Sequence, residues 1–195
     1  MKYPGKANGE YKPTINYGNR GMSLEDDINA SNEFYRTIDK AVIYKKPTPI
    51  TISKVDYTKN KEKIIKEAYF KIPSTTDYNG IYKGKYVDFE AKETKLKYFP
   101  LSNIHSHQIE HLKKVAKHGA IAFLIVRFTN LNETYYLDIK DLTYYLENVK
   151  KSSISHDFFE EKGHLIKEKY NPRIDYLSII DDIYFKGDFY GKEDY

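Results

Sequence analysis

The segment Tyr86-Val87-Asp88-Phe89-Glu90-Ala91-Lys92 alternates apolar and charged side chains along most of its length. Successive side chains of a β-strand point to opposite faces. The alternation therefore predicts a strand whose apolar face packs into a core, through Val87, Phe89 and Ala91. The other face then carries two carboxylates and an ammonium in a row, from Asp88, Glu90 and Lys92. A charged face supported by a buried one is suited to a catalytic or metal site.

Strands and helices alternate on both sides of this segment. Residues 120–128 are almost entirely apolar, which predicts a central strand buried on both faces. The preceding residues 104–118 predict a helix, one face of which holds Ile104, Gln108, Leu112 and Val115. Residues 41–44 predict a short buried strand, and Ser23 predicts the N-cap of a first helix. This order predicts one α/β domain in layers.

Shorter elements complete the prediction. Extended segments are expected at 50–57, 81–82 and 134–137, helices at 139–148 and 177–185, and a short helix after Ser155. Residues 73–80 have turn chemistry, and residues 93–102 are expected to form a polar loop.

The composition limits the class of protein. The chain has 195 residues, of which 40% are hydrophobic, so it is long enough for one domain and too apolar to be disordered. Its mean hydropathy is -0.71, and its longest apolar stretch, 120–126, is too short to cross a membrane. There is no Cys, which excludes disulfides, Cys-ligated zinc and a thiol nucleophile. Residues 1–5 show no signal peptide, and we expect a cytoplasmic protein without membrane contact.

The charge is unevenly distributed along the chain. The net charge is +4, although residues 175–195 contain six acidic residues and only two lysines. Residues 45–71 contain eight lysines and three acidic residues. A basic body with an acidic tail indicates a polyanionic partner such as DNA. The alternative is a lysine-rich surface that is only solvated.

Asp77 precedes the predicted strand on a turn, from which it can fold back beside Glu90. Magnesium prefers carboxylate oxygens, so Asp77 and Glu90 can hold it, with the Ala91 carbonyl as a further ligand. Lys92 can then orient the attacking water or stabilise charge on a phosphate in the transition state. The pattern thus fits phosphodiester hydrolysis, while the alternative is an ordinary row of surface charges.

Six blocks of the chain resemble the signature blocks of RecU-type Holliday junction resolvases. One is Asp88-Phe89-Glu90-Ala91-Lys92-Glu93-Thr94, and the others are 20–25, 41–49, 73–80, 107–111 and 171–177. They occur in the family's order and cover roughly residues 18–180. The resemblance implies the PD-(D/E)XK nuclease fold, which is a mixed sheet flanked by helices with a protruding stalk. It also implies a magnesium-dependent homodimer, with Mn²⁺ able to substitute, that cuts four-way DNA junctions in recombination and repair.

The resemblance also implies roles for individual residues. Asp77 and Glu90 match the two metal carboxylates, and Lys92 matches the catalytic lysine. Glu25 matches an acid on the first helix that completes the metal site. Gln108 matches a glutamine that contacts phosphate or water. Thr76 stands where the wider superfamily has proline, which is usual for the RecU type.

Domain and DNA-binding predictions follow from the same resemblance. We expect an N-terminal arm at 1–19, a nuclease domain at 20–186 with a basic stalk at 45–71, and a tail at 187–195. Candidate DNA contacts are Arg20, Lys45, Lys46, Lys59, Lys61, Lys63 and Tyr78. Tyrosines at 78, 82 and 86 can stack on unpaired bases or pack in the core. A recombinase and a branch-migration helicase are further partners that the resemblance implies.

Two features leave alternatives open. His105, His107 and His111 have a spacing that can bind zinc or face phosphate or solvent. Asp88 is either a third acid near the metal or the ion-pair partner of Lys85 or Lys92.

Three rival functions remain at this point. They are a restriction-type nuclease on duplex DNA, a non-catalytic junction-binding protein that modulates a recombinase, and a purely structural basic protein.

Overall fold

The structure, a computed structural model, describes residues 23–57, 63–70 and 75–186. Its helices are α1 (Leu24–Thr37), α2 (Ser106–Lys117), α3 (Ile139–Asn148), α4 (His156–Lys162) and α5 (Tyr176–Tyr184). Its strands are β1 (Val42–Lys45), β2 (Ile50–Tyr57), β3 (Lys63–Phe70), β4 (Tyr78–Tyr82), β5 (Lys85–Thr94), β6 (Tyr98–Pro100), β7 (Ile121–Phe128), β8 (Glu133–Asp138), β9 (Ser153–Ser155) and β10 (His164–Leu165).

Within the described ranges, six strands form a sheet in the order β1-β4-β5-β7-β8-β10. The β5–β7 pair is parallel and the other pairs are antiparallel, so the sheet is mixed. Helices cover both of its faces. This architecture confirms the predicted α/β class and the flanked mixed sheet that the resemblance implied.

β7 lies between two hydrophobic cores, and all eight of its residues are buried. Ile121, Phe123 and Ile125 face the core that α1 and α5 cover, whereas Ala122, Leu124 and Val126 face the core that α2, α3 and α4 cover. The prediction of a central strand at 120–128 is confirmed.

β5 follows the predicted alternation. Val87 and Phe89 are fully buried in the first core, with Ala91 packed against it. Asp88 and Glu90 are 0% exposed on the opposite face, where α2 contributes Gln108 and His111. β5 is hydrogen-bonded to β4 on one side and to β7 on the other, so its polar face is held in a fixed position.

The first helix begins as predicted. Ser23 and Asp26 form a capping box, in which each side chain bonds the other residue's backbone N–H. Its apolar residues Leu24, Ile28 and Tyr35 are buried.

The prediction of a short strand at 41–44 is confirmed by β1, but the prediction that this strand is buried was wrong. β1 is an edge strand that pairs with β4, and Val42 and Tyr44 are 50% and 55% exposed. Only one face of this edge is covered, so the alternating residue Ile43 is buried. The predicted polar loop also contains β6, which pairs with β9 in a small separate sheet.

β2 and β3 form an antiparallel pair outside the six-stranded sheet. Ile50, Ile52, Ile64, Ile65, Tyr69 and Phe70 on these strands are all exposed. The predicted arm at 1–19 and tail at 187–195 lie outside the described residues. None of the described helices is both long and apolar enough to cross a membrane.

Candidate active site

The structure brings Asp77 and Glu90 together where the residue before β4 lies beside the middle of β5. Tyr78 pairs with Phe89 in the antiparallel register, so the next residue outward on each strand, Asp77 and Glu90, become neighbours. The backbone N–H of Asp77 donates a hydrogen bond to Glu90 Oε2 at 3.1 Å. The turn before β4 is thus held directly against the polar face of β5.

Glu90 is fully buried, and its carboxylate is shared among three groups. Gln108 Nε2 donates to Oε1 at 2.7 Å, and Lys92 Nζ lies 2.5 Å from the same oxygen. Burial, and then the negative charge of Asp77, raise the pKa of Glu90 to about 7, while the Lys92 ammonium opposes the rise. Glu90 is therefore an acid whose charged form is destabilised in the metal-free protein.

This donor set fits a divalent cation. Two neighbouring carboxyls, one of them buried, repel each other when both are ionised, and a cation between them removes that repulsion. Carboxylate oxygens are also the ligands that magnesium prefers. The Lys92 side chain is 25% exposed, whereas the carboxylate that it pairs with, that of Glu90, is fully buried.

Gln108 is oriented at both ends of its amide. Its Oε1 accepts the backbone N–H of His105 at 3.0 Å, and its Nε2 donates to Glu90. The N-terminus of α2 therefore fixes which atom of the amide faces the carboxylate.

Glu25 lies in the first turn of α1, where it forms an ion pair with Lys45. α1 is attached to β5 because the N–H of Leu24 donates to Glu93 Oε1 at 2.8 Å. The pKa of the Tyr78 phenol is raised mainly by burial, and the negative charges of Glu25 and Asp77 raise it further. Glu25 is thus near the Asp77 turn, but its carboxylate is engaged with Lys45.

Asp88 pairs with neither Lys85 nor Lys92, so that expectation was wrong. Its carboxylate contacts Lys46 Nζ at 3.1 Å and His111 Nε2 at 3.0 Å. Strand alternation places Lys85 on the face opposite to Asp88, and Lys92 is paired with Glu90. The partners of Asp88 therefore come from other elements, the residue after β1 and α2.

The comparisons with known proteins identify the family of this chain. The family model of Recombination protein U matches residues 19–182. The chain belongs to the RecU family. A relative named Holliday junction resolvase RecU, from Geobacillus sp. (strain WCH70), is 53% identical over 197 residues, covering 95% of this chain and 98% of its own. A relative of the same name from Oceanobacillus iheyensis is 52% identical over 200 residues, covering 95% of this chain and 100% of its own.

A solved structure is also similar. Hjc from Archaeoglobus fulgidus, described as a Holliday junction resolvase from an archaeal hyperthermophile, has a TM-score of 0.45 and 14% identity. The alignment covers 72% of this chain and 92% of that one.

Two predicted DNA contacts of this RecU-family chain need correction. Tyr78 is 1% exposed and its ring stacks on Phe89 at 4.8 Å, so it packs in the core and is closed to DNA bases. Lys46 directs its ammonium inward to Thr76 and Asp88, because the buried Asp88 carboxylate needs a cation. Tyr82 is likewise buried, whereas Tyr86 is 38% exposed.

Of the other predicted DNA contacts, only Lys45 and Lys63 lie within the described residues. Lys45 has a side chain that is 37% exposed. Lys63 is the first residue of β3. Arg20, Lys59 and Lys61 lie outside the described residues.

The three histidines do not converge on a shared point. The rings of His105 and His107 stack at 5.3 Å, while His111 turns to Asp88. In the part of the chain that the structure describes, a different set, His156, Asp157 and Glu160 on α4, brings potential ligand atoms together. There, His156 already contacts Glu133 at 2.6 Å, and this cluster is remote in sequence from the Asp77–Glu90 pair.

Sequence reasoning missed the roles of Thr76, Lys46 and His111 around Asp88. The sequence placed Asp88 on the charged face of β5 but carried no signal that α2 covers this face, and a buried carboxylate requires donors. The identity of those donors depends on how β1 and α2 pack, which no local pattern specifies.

Proposed function

We propose that this RecU-family chain is a structure-selective endodeoxyribonuclease that resolves four-way DNA junctions by paired, magnesium-dependent nicks in recombination and DNA repair. The observation that carries the proposal is the cluster of Asp77, on the turn before β4, with Glu90 and Lys92 on β5. It has the donors that a metal-dependent phosphodiesterase needs, in a chain about half identical to relatives named Holliday junction resolvases.

Asp77 and Glu90 would hold Mg²⁺, with the Ala91 carbonyl and Glu25 as further ligands. When bound, Mg²⁺ would supply the charge that polarises the scissile phosphate and lowers the pKa of the attacking water. To serve as a ligand, Glu25 would have to leave Lys45, and Lys45 would then be available to a DNA phosphate. Mn²⁺ has the same preference for oxygen ligands and is expected to substitute.

The chain's own residues position and neutralise the reacting groups. Gln108 keeps Glu90 in one orientation, because its amide is fixed by the N–H of His105. Lys92 is paired with Glu90 in the metal-free protein. With a cation held by Glu90, the Lys92 ammonium would be available to stabilise the negative charge that develops on the phosphate.

A homodimer would place two such sites in the relation that paired nicks require. A four-way junction is approximately two-fold symmetric, and an isologous dimer has the same symmetry. The exposed apolar residues on β2 and β3 support a partner surface on this hairpin, with Phe70 83% and Tyr69 64% exposed. The lysines at 59, 61 and 63, with Arg20 and Lys45, are the proposed phosphate contacts. A recombinase and a branch-migration helicase remain proposed partners.

The test is cleavage of a mobile four-way junction, with a linear duplex of the same arm sequence as the matched substrate. We expect symmetric nicks in the junction with Mg²⁺ or Mn²⁺, and none in chelator. Asp77→Asn and Glu90→Gln should abolish nicking and keep junction binding. Equal cleavage of the duplex would instead identify a restriction-type enzyme, and junction binding without any nicks would identify a non-catalytic binding protein.

A further inference from the structure

Asp88 is a buried carboxylate that joins four parts of the fold. It is 0% exposed and accepts from the Thr76 hydroxyl, from the Tyr86 hydroxyl at 2.9 Å and from Lys46 Nζ at 3.1 Å. His111 Nε2 lies 3.0 Å from Oδ2. These partners come from the end of β1, the turn before β4, β5 itself and α2. Both carboxylate oxygens are therefore already occupied by protein donors.

Lys46 connects this carboxylate to the turn that carries Asp77. Its ammonium donates to Thr76 Oγ1 at 2.8 Å as well as to Asp88. Its backbone N–H donates to the Asp77 carbonyl at 2.7 Å. One residue thus holds the main chain of Asp77 and the side chain of the residue before it.

Thr76 completes a closed set of contacts. It is 3% exposed, directly precedes Asp77, and bonds to both Lys46 and Asp88. On β5, Asp88 lies two residues before Glu90 on the same face of the strand, and its register partner is Asn79. The turn is accordingly fixed twice by β5, once by Glu90 to the Asp77 N–H and once by Asp88 to Thr76.

We propose that Asp88 is a positioning residue that holds the Asp77 carboxylate beside Glu90 through Thr76 and Lys46. The inference rests on the proposed function, because it concerns the same pair of carboxylates. Asp88 acts without touching the ion, and its removal would free the Thr76–Asp77 turn. Loss of such supporting bonds typically lowers metal affinity about 10–100-fold.

Substitutions at Asp88 and Thr76 separate a positioning role of Asp88 from a purely electrostatic effect of its negative charge. Asp88→Asn removes a negative charge close to the ion, so it would weaken cation binding even without movement of the turn. Thr76→Val removes only the hydroxyl that links the turn to Asp88 and alters no charge. Thr76→Ser keeps that hydroxyl. We expect Asp88→Asn and Thr76→Val each to raise the dissociation constant for Mg²⁺ about 10-fold or more. Thr76→Ser should keep this constant within about 3-fold of that of the unaltered protein.

The measurements are Mg²⁺ binding to the DNA-free full chain by calorimetry, and the Mg²⁺ concentration that gives half-maximal junction nicking. Asp175→Asn is the matched control, since Asp175 is a buried acid, 8% exposed, that bonds Tyr35 and Lys169 outside the site. It should lower the thermal midpoint and leave Mg²⁺ binding unchanged. Junction binding in chelator should be the same for all variants.

Unaltered Mg²⁺ binding in Thr76→Val would overturn the proposal, even if Asp88→Asn binds the ion weakly, because Asp88 would then act through charge alone. Should Asp88→Asn fail to fold, the two Thr76 variants decide the matter. If the unaltered protein binds Mg²⁺ but cuts no junction, the proposed function fails, while calorimetry on the variants still tests the positioning role.

Discussion

Glu93 on β5 accepts the backbone N–H of Leu24 at the start of α1, at 2.8 Å. The residue that follows catalytic-lysine candidate Lys92 therefore anchors the helix that carries Glu25. A carboxylate at a helix N-terminus also interacts favourably with the helix dipole. This bond joins the first helix to the strand on which the proposed chemistry depends.

Replacement of Glu93 should loosen the start of α1. We expect Glu93→Ala to lower the free energy of unfolding by about 1 kcal/mol, because the Leu24 N–H loses its acceptor. It should also raise the Mg²⁺ concentration needed for nicking. Glu93→Gln keeps an acceptor oxygen and should lose less of both. Urea unfolding and Mg²⁺ titration of nicking measure these effects, and equal losses in the two variants would contradict the role of the hydrogen bond.

The orientation of Glu90 depends on Gln108. Gln108→Leu removes the donor to Glu90 and the acceptor for the His105 N–H, both in a buried position. We expect a loss of about 2 kcal/mol in unfolding free energy and a fall in the nicking rate. His105→Ala is the control, because it keeps the backbone N–H that Gln108 accepts. A nicking rate in Gln108→Leu as high as in His105→Ala would count against the orienting role.

The raised pKa of Glu90 predicts how stability depends on pH in the metal-free protein. Its folded value of about 7 exceeds the ordinary value of 4.5, so the folded state holds the proton more tightly. This proton binding stabilises the folded state fully when the pH is below the ordinary pKa, and the stabilisation is lost as the pH rises through the pKa of the folded state. It amounts to on the order of 3 kcal/mol.

Denaturant unfolding in chelator, from about pH 4.5 to about pH 8, measures this contribution as the difference between the unaltered protein and Glu90→Gln. Glu90→Gln has no proton to lose at this position, so its stability should fall less over that range. Added Mg²⁺ at the high-pH end should stabilise the unaltered protein and have little effect on Glu90→Gln. Parallel pH profiles of the two proteins would rule out the perturbed acid.

The proposed dimer surface on β2 and β3 can be tested by measuring the molecular mass of the protein in solution by sedimentation. Ile50 and Phe70 lie opposite each other in the strand pairing and are 46% and 83% exposed. Replacing both with Ser should shift the sedimenting species towards the monomer, because the apolar area available to a partner falls. Tyr144→Ser, which removes another exposed aromatic, on α3, is the control. An unchanged mass in the Ile50/Phe70 variant would place the dimer contact elsewhere.

The parts of the site that follow from local patterns could be predicted from the sequence. Alternation along β5 is enough to place Val87 and Phe89 in the core and Glu90 on the opposite face. The approach of Asp77 to Glu90 follows from a short hairpin, whose register is set by the two-residue turn at Lys83 and Gly84.

The parts that depend on packing between distant elements could not be predicted. Nothing local to Lys46 indicates that its ammonium enters the sheet face to meet Asp88, 42 residues away. Tyr78 is buried because its face of β4 meets Phe89 and the first core, whereas an alternating tyrosine is equally compatible with an exposed face. β6 and β9 are three residues each and have a sequence pattern too short to recognise.

The most direct test of the metal-binding pair is a crystal structure of the chain soaked with Mn²⁺, with the ion located by its anomalous scattering. We expect a peak in contact with the carboxylates of Asp77 and Glu90, and we expect it to disappear in Asp77→Asn. A peak only at another set of ligands, such as His156, Asp157 and Glu160 on α4, would contradict it.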